Sequence, residues 1–502
     1  MSMAKRPTAS KPSARRKQGK ASRGRAASGD PIRFGTDGWR GRIAEDYTFG
    51  NLRRCTAGFA AYLRSVYSAA DLKRGIVVGG DRRFHSENFA AAAAEVLAGS
   101  GIPVHYCGGG VPTPVISFSV KAKKAIGAIN ITASHNPPYD NGFKVRDENG
   151  GAIAPEGLAA IEALIPPSAA EVRRIKFRDA VAGGLIREFN ADEAYIRQIS
   201  AMVDIPSLKK AGLNILVDPM WGNGAGWFSR LLAGDATKIT EIHSDRNPIF
   251  PEMSRPEPIH PNIDAGIAKG KEMKADVVIF TDGDADRCGF ADEKGRFLDQ
   301  LRVYGLLALY LLEVRKRRAP IVKTLSTTSM LDELGKTFDV PVYEVGVGFK
   351  YVAPRMMETN AMIGGEESGG YAFEGHVPER DGILAGLFFL DFMVKTGLKP
   401  SELLDRLFGI VGAHYYDRID VTIEAGQKQS ILKRLQANLP KKVAGKKVVR
   451  TNLSDGFKFI LEDGSWLLVR FSGTEPLVRV YSEALSSAQL RTILREGERL
   501  VR

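Results

Sequence analysis

Short apolar runs that end in loops rich in glycine and aspartate constrain the fold of this chain most. Three of these runs lie at residues 75–81, 213–218 and 276–280. Unbroken apolar runs of this length are typical of strands that are covered on both faces. Helix-like segments at 89–97 and 301–314 follow the first and the third of these runs. The alternation predicts α/β domains with largely parallel sheets, in which ligands gather at the carboxyl ends of the strands.

The chain is too long for one hydrophobic core. At 502 residues it predicts several domains. No stretch of 18 apolar residues occurs, so a membrane span is not expected. Three distant cysteines without a CxxC pair argue against a disulfide framework and favour a reducing compartment, the cytoplasm. The predicted divisions are a basic tail at 1–30, α/β domains at 31–188, 189–296 and 297–410, and an α+β domain at 411–502.

The net charge of +13 comes mainly from the first 29 residues. This segment holds nine lysines and arginines and no acidic residue, so the rest of the chain carries only about +4. The segment is rich in Ser, Ala, Gly and Arg without an apolar period, which predicts disorder. Electrostatic attachment to an anionic polymer and a cleaved transit peptide are the alternatives. Nucleic-acid binding is therefore expected only through this tail, if at all.

A polar loop after the apolar residues that end at Ile131 combines a hydroxyl with proline and turn signals. If the chain folds back near Tyr139, Ser134 and Lys144 lie equally far from the bend and can meet. A hydroxyl beside an amine suits activation of the oxygen or stabilisation of its phosphate ester. An ordinary turn is the alternative, and the G-x-S-x-G elbow of hydrolases is absent.

Three carboxylates stand at alternate positions directly after the apolar run at 276–280. They belong to Asp282, Asp284 and Asp286. Such a cluster repels itself strongly without a cation, and oxygen ligands select a hard ion such as Mg²⁺ or Ca²⁺. A calcium EF-hand would need glycine where Arg287 stands and a helix before the loop. A solvated acidic turn without a metal is the remaining alternative.

Two later loops suit a sugar and an anion. Residues 364–370 place two carboxylates and a serine among glycines that let the backbone approach a ligand. An acidic surface loop is the alternative there. Residues 470–476, with Arg479 beyond them, offer backbone N–H groups, hydroxyls and two guanidiniums for a phosphate dianion. A smaller loop at 346–350 is of the same kind. The sequence has no P-loop lysine signature, so binding of a nucleoside triphosphate is not indicated.

Taken in order, these loops resemble those of the α-D-phosphohexomutase family, which contains phosphoglucomutases and phosphomannomutases. The resemblance covers residues 34–481. The matching segments are the opening motif at 34–41 (FGTDGWRG), the phosphoserine loop at 132–137 (TASHNP), the metal loop at 282–287, the sugar loop at 365–368 and the phosphate loop at 470–476. It implies four domains around a central cleft, three of them mixed α/β and the last α+β.

The resemblance also implies site residues. The implied catalytic residues are Ser134 as phosphoryl carrier, Lys144 for proton transfer, and Arg40 and Arg287, which steady the phosphate. The implied ligands of Mg²⁺ are phosphorylated Ser134, Asp282, Asp284 and Asp286. The implied sugar ligands are Glu366, Ser368, Gly348 and Lys350. The implied ligands of the non-reacting phosphate are Arg470, Ser472, Gly473, Thr474 and Arg479.

The activity implied is an isomerase reaction on a small-molecule hexose phosphate. The phosphoserine gives its group to a free hydroxyl, and the hexose 1,6-bisphosphate turns and returns its other phosphate. Glucose is favoured over mannose, because mannose-type members carry histidine where Gly370 stands. That departure leaves a second acid–base group open, with His376 and Arg380 as candidates. A phosphomannomutase, a bifunctional mutase, a bisphosphate synthase and a non-catalytic phosphosugar-binding protein are the alternatives.

Overall fold

The computed structural model of the protein describes residues 32–35, 37–424, 426–471 and 477–502. The predicted tail at 1–30 and the predicted phosphate ligands Ser472, Gly473 and Thr474 lie outside these residues. Within the described part of the chain, no helix is long and apolar enough to cross a membrane. The described strands form four sheets, which confirm the predicted fold class of three mixed α/β units and a different C-terminal unit.

The first domain is built on a six-stranded mixed sheet. Its strands are β1 Trp39–Arg42, β2 Ile76–Gly80, β3 Val104–Gly108, β4 Ala128–Ile131, β5 Asp140–Arg146 and β6 Ile186–Glu188. Its helices are α1 Phe49–Val66, α2 Ala69–Leu72, α3 Ser86–Gly99, α4 Thr113–Lys123, α5 Pro155–Ala163 and α6 Phe177–Ala182, with a 3₁₀ turn at Ala169–Glu171. The strand order is β1-β5-β4-β2-β3-β6, in which only β1–β5 and β5–β4 pair antiparallel.

The second domain has a five-stranded sheet in the order β11-β10-β9-β7-β8. The elements are α7 Asp192–Met202, α8 Ile205–Lys210, β7 Asn214–Asp218, α9 Trp227–Leu232, β8 Lys238–Glu241, α10 Asp264–Glu272, β9 Val277–Thr281, β10 Cys288–Asp292 and β11 Phe297–Leu298. β11 pairs with β10. This sheet therefore extends two residues beyond the predicted boundary at residue 296.

The third domain has a four-stranded sheet in the order β13-β12-β14-β15. The elements are α11 Gln300–Leu309, a π-helical turn Tyr310–Val314, β12 Ile321–Thr324, α12 Met330–Phe338, β13 Val342–Val345, α13 Phe349–Thr359, β14 Ile363–Gly365, β15 Tyr371–Phe373, α14 Gly382–Thr396 and α15 Pro400–Val411. α14 is buried on nearly every side. This matches its almost wholly apolar sequence.

The fourth domain has a sheet of six antiparallel strands in the order β16-β21-β20-β19-β18-β17. The elements are β16 Tyr415–Thr422, α16 Gln427–Ala437, β17 Lys442–Val443, β18 Lys446–Asn452, β19 Phe457–Leu461, β20 Trp466–Phe471, β21 Leu477–Ala484 and α17 Ser487–Val501. Ser486 is the N-cap of α17, and its hydroxyl accepts the Gln489 N–H. The helix packs its apolar stripe on the sheet.

The first three sheets share one four-stranded unit. The unit appears as β3-β2-β4-β5, as β8-β7-β9-β10 and as β13-β12-β14-β15. In each case three strands run parallel and the fourth returns antiparallel. The connection that precedes the fourth strand carries the phosphoserine loop, the metal loop and the sugar loop respectively. The three loops therefore occupy equivalent places at the carboxyl end of a parallel strand, where ligands gather.

One hydrophobic cluster joins the second and third domains. Phe290 on β10 stacks on Phe389 of α14, with the ring centroids 4.3 Å apart. Phe228 of α9 and Tyr304 of α11 belong to the same cluster, which also takes in Phe118 of α4. The fourth domain instead has a separate core between its sheet, α16 and α17. The second and third domains are thus held together as one packed body.

Candidate active site

The three aspartates of the metal loop form one buried cluster. Asp282, Asp284 and Asp286 are each fully buried, and each offers a carboxylate oxygen within 4.8 Å of the others. Among the described residues, Asp284 Oδ1 and Asp286 Oδ1 accept no hydrogen bond. Burial, with Asp284 and Asp286 beside it, raises the pKa of Asp282 well above its usual value. Buried carboxylate oxygens that accept no hydrogen bond are the donor set that a hard divalent cation requires, so these residues fit Mg²⁺.

Ser134 lies against this cluster. Its Oγ donates a hydrogen bond to Asp282 Oδ2 at 2.8 Å. Its backbone adopts φ 52°, the left-handed region, and its N–H donates to Thr132 Oγ1 at 2.8 Å. A non-glycine residue in this region is strained, and such strain is often found at functional sites. The hydroxyl from the first domain and the aspartates from the second therefore form one site.

Arg83 holds the phosphoserine loop in shape. Its buried guanidinium donates to the carbonyl oxygens of Ser134 at 2.6 Å, Asn136 at 2.5 Å and Pro137 at 2.7 Å. It also pairs with Asp81 at 3.3 Å. Sequence analysis did not assign Arg83 a role. The one signal was its place just after the apolar run at 75–81, whose carboxyl end was expected to lie near ligands.

Lys144 reaches the site by a different register from the one predicted. β4 and β5 pair Asn130 with Lys144, so the chain does not fold back symmetrically about Tyr139 and Ser134 is not opposite Lys144. The expected turn at Tyr139 was wrong, because the register centres the turn earlier in the loop. Lys144 Nζ lies 3.1 Å from Asp284 Oδ2, so the metal loop joins the two residues.

The environment of Lys144 keeps it charged. Burial opposes its charge, but Asp284, Asp37 and Asp286 outweigh that effect and raise the pKa of Lys144. Asp37 Oδ2 lies 3.2 Å from Lys144 Nζ, and Asp37 Oδ1 accepts from Arg146 at 2.7 Å. Asp37 belongs to the opening motif, but sequence analysis gave it no role. A carboxylate that binds several cations can be recognised only after the strands are placed.

Arg40 and Arg287 approach the same cluster from different domains. Arg40 Nη1 donates to Asn136 Oδ1 at 2.5 Å. Arg287 donates its backbone N–H to Asp282 Oδ1 at 3.1 Å and pairs with Glu257 at 3.4 Å. Burial, with Arg287 nearby, lowers the pKa of Arg40. Two neighbouring guanidiniums beside Ser134 make a site that favours an additional anion.

The sugar loop enters the site through Glu366. Glu366 is buried, and burial raises its pKa to about 7, although Arg380 and Arg287 lower it. Arg380 Nη1 donates to Glu366 Oε2 at 3.4 Å. Ser368 follows in the same loop at half-buried depth. Glu366 and Arg380 therefore connect the third domain to the metal loop.

Of the two candidates for a second acid–base group, the structure brings only Arg380 to the cluster. His376 is buried elsewhere, where it stacks on Phe118 with centroids 5.4 Å apart. Its Nε2 lies 3.0 Å from Asp381 Oδ2. His376 is thus a packed core histidine, as most buried histidines without a ligand are.

The predicted phosphate ligands are partly described. Arg470 on β20 lies directly opposite Arg479 on β21. Opposed like charges destabilise a strand pair unless nearby anionic groups compensate them. Arg470 Nε donates to Asp455 Oδ2 at 3.1 Å, and the same oxygen accepts the Val347 N–H at 2.8 Å. The fourth domain is thereby tied to the loop at 346–350.

Gly348 and Lys350, predicted as sugar ligands, belong to that loop. Gly348 has φ 126°, which only glycine adopts readily, and it precedes α13. Lys350 lies half-buried in the first turn of α13, with its Nζ 5.2 Å from the centre of the Tyr351 ring. Their part in the site stays a prediction.

The fold and site together define a phosphohexomutase-type protein, and comparison with known proteins agrees. Models of phosphoglucomutase/phosphomannomutase α/β/α domains I, II and III match residues 31–170, 193–295 and 300–410. The model of the C-terminal domain matches residues 426–499. The chain belongs to the phosphoglucomutase/phosphomannomutase family.

Similar proteins carry several substrate names. A phosphoglucomutase/phosphomannomutase of Thermococcus kodakarensis is 32% identical, over 93% of this chain and 98% of its own. A phosphoglucosamine/phosphogalactosamine mutase of Sulfurisphaera tokodaii is 30% identical over the same shares. A solved structure from Thermus thermophilus, assigned as a phosphomannomutase, is 35% identical with a TM-score of 0.80, covering 94% and 99% of the two chains.

Proposed function

We propose that this family member interconverts glucose 1-phosphate and glucose 6-phosphate through a phosphorylated Ser134. The observation that carries the proposal is the hydrogen bond between Ser134 Oγ and Asp282 within a cluster of three buried aspartates. A seryl phosphate at this position would share the metal with those aspartates. Mg²⁺, when bound, would offset the charge that develops on the transferring phosphoryl group.

The residues of this chain divide the remaining work. Arg40 and Arg287 would hold the oxygens of the transferring phosphoryl group. The burial of Ser134 would keep water away from that group. Lys144 stays protonated because its pKa is raised, so its Nζ would be the proton donor as the phosphoryl group leaves the serine. Glu366 would accept a hydrogen bond from a sugar hydroxyl, and Ser368, Gly348 and Lys350 would complete the sugar site.

The opposed Arg470 and Arg479, with the predicted loop ligands, would bind the phosphate that does not react. A hexose 1,6-bisphosphate would then turn between the two phosphate positions. A structural neighbour, the N-acetylphosphoglucosamine mutase of Aspergillus fumigatus, was solved with GlcNAc-6P and magnesium. This likeness, at 16% identity, concerns the fold alone.

Glucose is proposed from the Glu366-Glu367-Ser368 sequence and from Gly370, where mannose-type members carry histidine. A phosphomannomutase, a bifunctional mutase or a bisphosphate synthase would use the same site. A phosphoglucosamine mutase is a further candidate, since relatives of similar identity bear that name. We also keep the prediction of a cytoplasmic location.

The test combines intact-mass analysis with a substrate panel. The purified full chain should carry one added phosphate that is absent in Ser134→Ala. With Mg²⁺ and a trace of bisphosphate, turnover of glucose 1-phosphate should exceed turnover of mannose and glucosamine 1-phosphates. Turnover led by another sugar would reject the glucose preference, and activity on no hexose phosphate would favour the non-catalytic binding protein.

A further inference from the structure

Arg380 connects three domains at the centre of the site. Its Nη2 lies 3.0 Å from Asp286 Oδ2 of the second domain and 3.2 Å from Asp37 Oδ2 of the first. Its Nη1 donates to Glu366 of the sugar loop at 3.4 Å, and its Nε donates to Glu379 at 3.0 Å. One buried guanidinium thus meets four carboxylates, which only the planar fork of arginine can do.

The side chain of Arg380 reaches these partners by crossing Gly370. A Cβ built on Gly370 would lie 2.4 Å from Arg380 Cδ and 2.7 Å from its Cγ, closer than real Cβ contacts come. Gly370 is not among the glycines with a left-handed φ, so its backbone does not itself require glycine. Glycine is therefore needed at this position because it leaves room for the side chain of Arg380.

We propose that Gly370 and Arg380 act as one unit, in which the glycine opens the path for an arginine that positions Glu366 relative to the metal loop. This rests on the proposed function and deepens it. Arg380 is a positioning residue. Its rigid guanidinium binds both Asp286 and Glu366, so these two carboxylates keep a fixed separation. Without Arg380, the two carboxylates repel each other and the sugar loop moves away from the metal loop.

A double-mutant cycle tests the coupling. Gly370→Ala in the otherwise unchanged chain should lower kcat/KM by at least about tenfold, because the new methyl displaces Arg380. In an Arg380→Ala background, adding Gly370→Ala should cost less than about twofold, since nothing crosses the glycine. Equal losses in both backgrounds would overturn the proposal. The same cycle read in melting temperature needs no activity, so it stands even if the chain turns over no hexose phosphate.

Metal binding gives a readout with an opposite sign. Arg380 competes with a cation for Asp286, so Arg380→Ala should tighten Mg²⁺ binding by at least about threefold in calorimetry without sugar phosphate. A purely structural arginine would leave the affinity unchanged or weaken it, and either result would reject the proposal. Arg230→Ala, which breaks the partly exposed pair with Asp192 far from the metal loop, is the matched control and should leave the Mg²⁺ affinity unchanged.

The conservative variant keeps the proposal testable if Arg380→Ala does not fold. Arg380→Lys retains the charge but cannot bind the four carboxylates through one planar group. It should therefore keep the wild-type Mg²⁺ affinity within about twofold while kcat/KM falls by about tenfold. A lysine variant with full kcat/KM would show that charge alone suffices and would overturn the positioning role.

Discussion

At the scale of single residues, the site depends on buried charges that each serve more than one partner. Arg83 binds three loop carbonyls, and Asp37 pairs with both Lys144 and Arg146. Buried charges are costly unless every one is paired. Removing one of these side chains therefore leaves a buried charge unpaired and destabilises the folded state.

Arg83→Met should destabilise the protein by about 3–5 kcal/mol, because Asp81 and the loop carbonyls lose a buried partner. Denaturant unfolding followed by circular dichroism measures this. Lys336→Ala, which breaks the exposed pair with Glu333, should change stability by no more than about 1 kcal/mol. Similar losses in the two variants would show that Arg83 is not required for the loop.

Glu366 should give the metal-free protein a distinct pH dependence. Its pKa is raised from 4.5 to about 7 by burial, so the folded state holds the proton more tightly than the unfolded chain. The free energy of unfolding should therefore fall as pH rises from 4.5 to 7, by about 3 kcal/mol from this group. Glu366→Gln should remove that part of the fall in chelator-treated protein, whereas Glu193→Gln, at an exposed site on α7, should keep it.

At the scale of elements, the site is made by loops that touch through their backbones. A Cβ built on Gly283 of the metal loop would lie 2.4 Å from the carbonyl oxygen of Ser134. Gly283 has no left-handed φ, so the close approach of the two loops explains the glycine. The close approach of Ser134 and the three aspartates therefore depends on one residue without a side chain.

Gly283→Ala should push the two loops apart and lower kcat/KM by at least about tenfold. Gly409→Ala is the matched control, because a Cβ there meets nothing within 4 Å. Alanine should stabilise α15 by about 0.5–1 kcal/mol and leave activity unchanged. Steady-state kinetics and thermal unfolding of both variants decide, and full activity in Gly283→Ala would contradict the argument.

The elements that the sequence could predict are those with a local signal. The strand at Val277–Thr281 and the three aspartates after it follow from apolar length and charge repulsion. The register of β4 and β5 could not be predicted, since it depends on how far the proline loop reaches before it turns. Arg83, Asp37 and the passage of Arg380 over Gly370 depend on contacts between distant segments, for which one sequence carries no local pattern.

At the scale of the whole molecule, the packing predicts that the second and third domains open as one unit, separately from the fourth. The second and third domains share one hydrophobic cluster, whereas the fourth has its own core. Hydrogen exchange should therefore show α9 and α14 opening together, with a different opening free energy for α17. Separate opening of α9 before α14 would show that the shared cluster does not couple the two domains.

The repeated four-stranded unit has a consequence for how such a protein can change. Each unit carries its predicted site residues on a single short connection between two strands, so each of the three loops can be altered without changing the strand order of its sheet. A library confined to these three connections would explore new substrates while the scaffold that expresses and folds stays constant. The chain is in this sense modular, because three variable loops are carried by three copies of the same four-stranded unit.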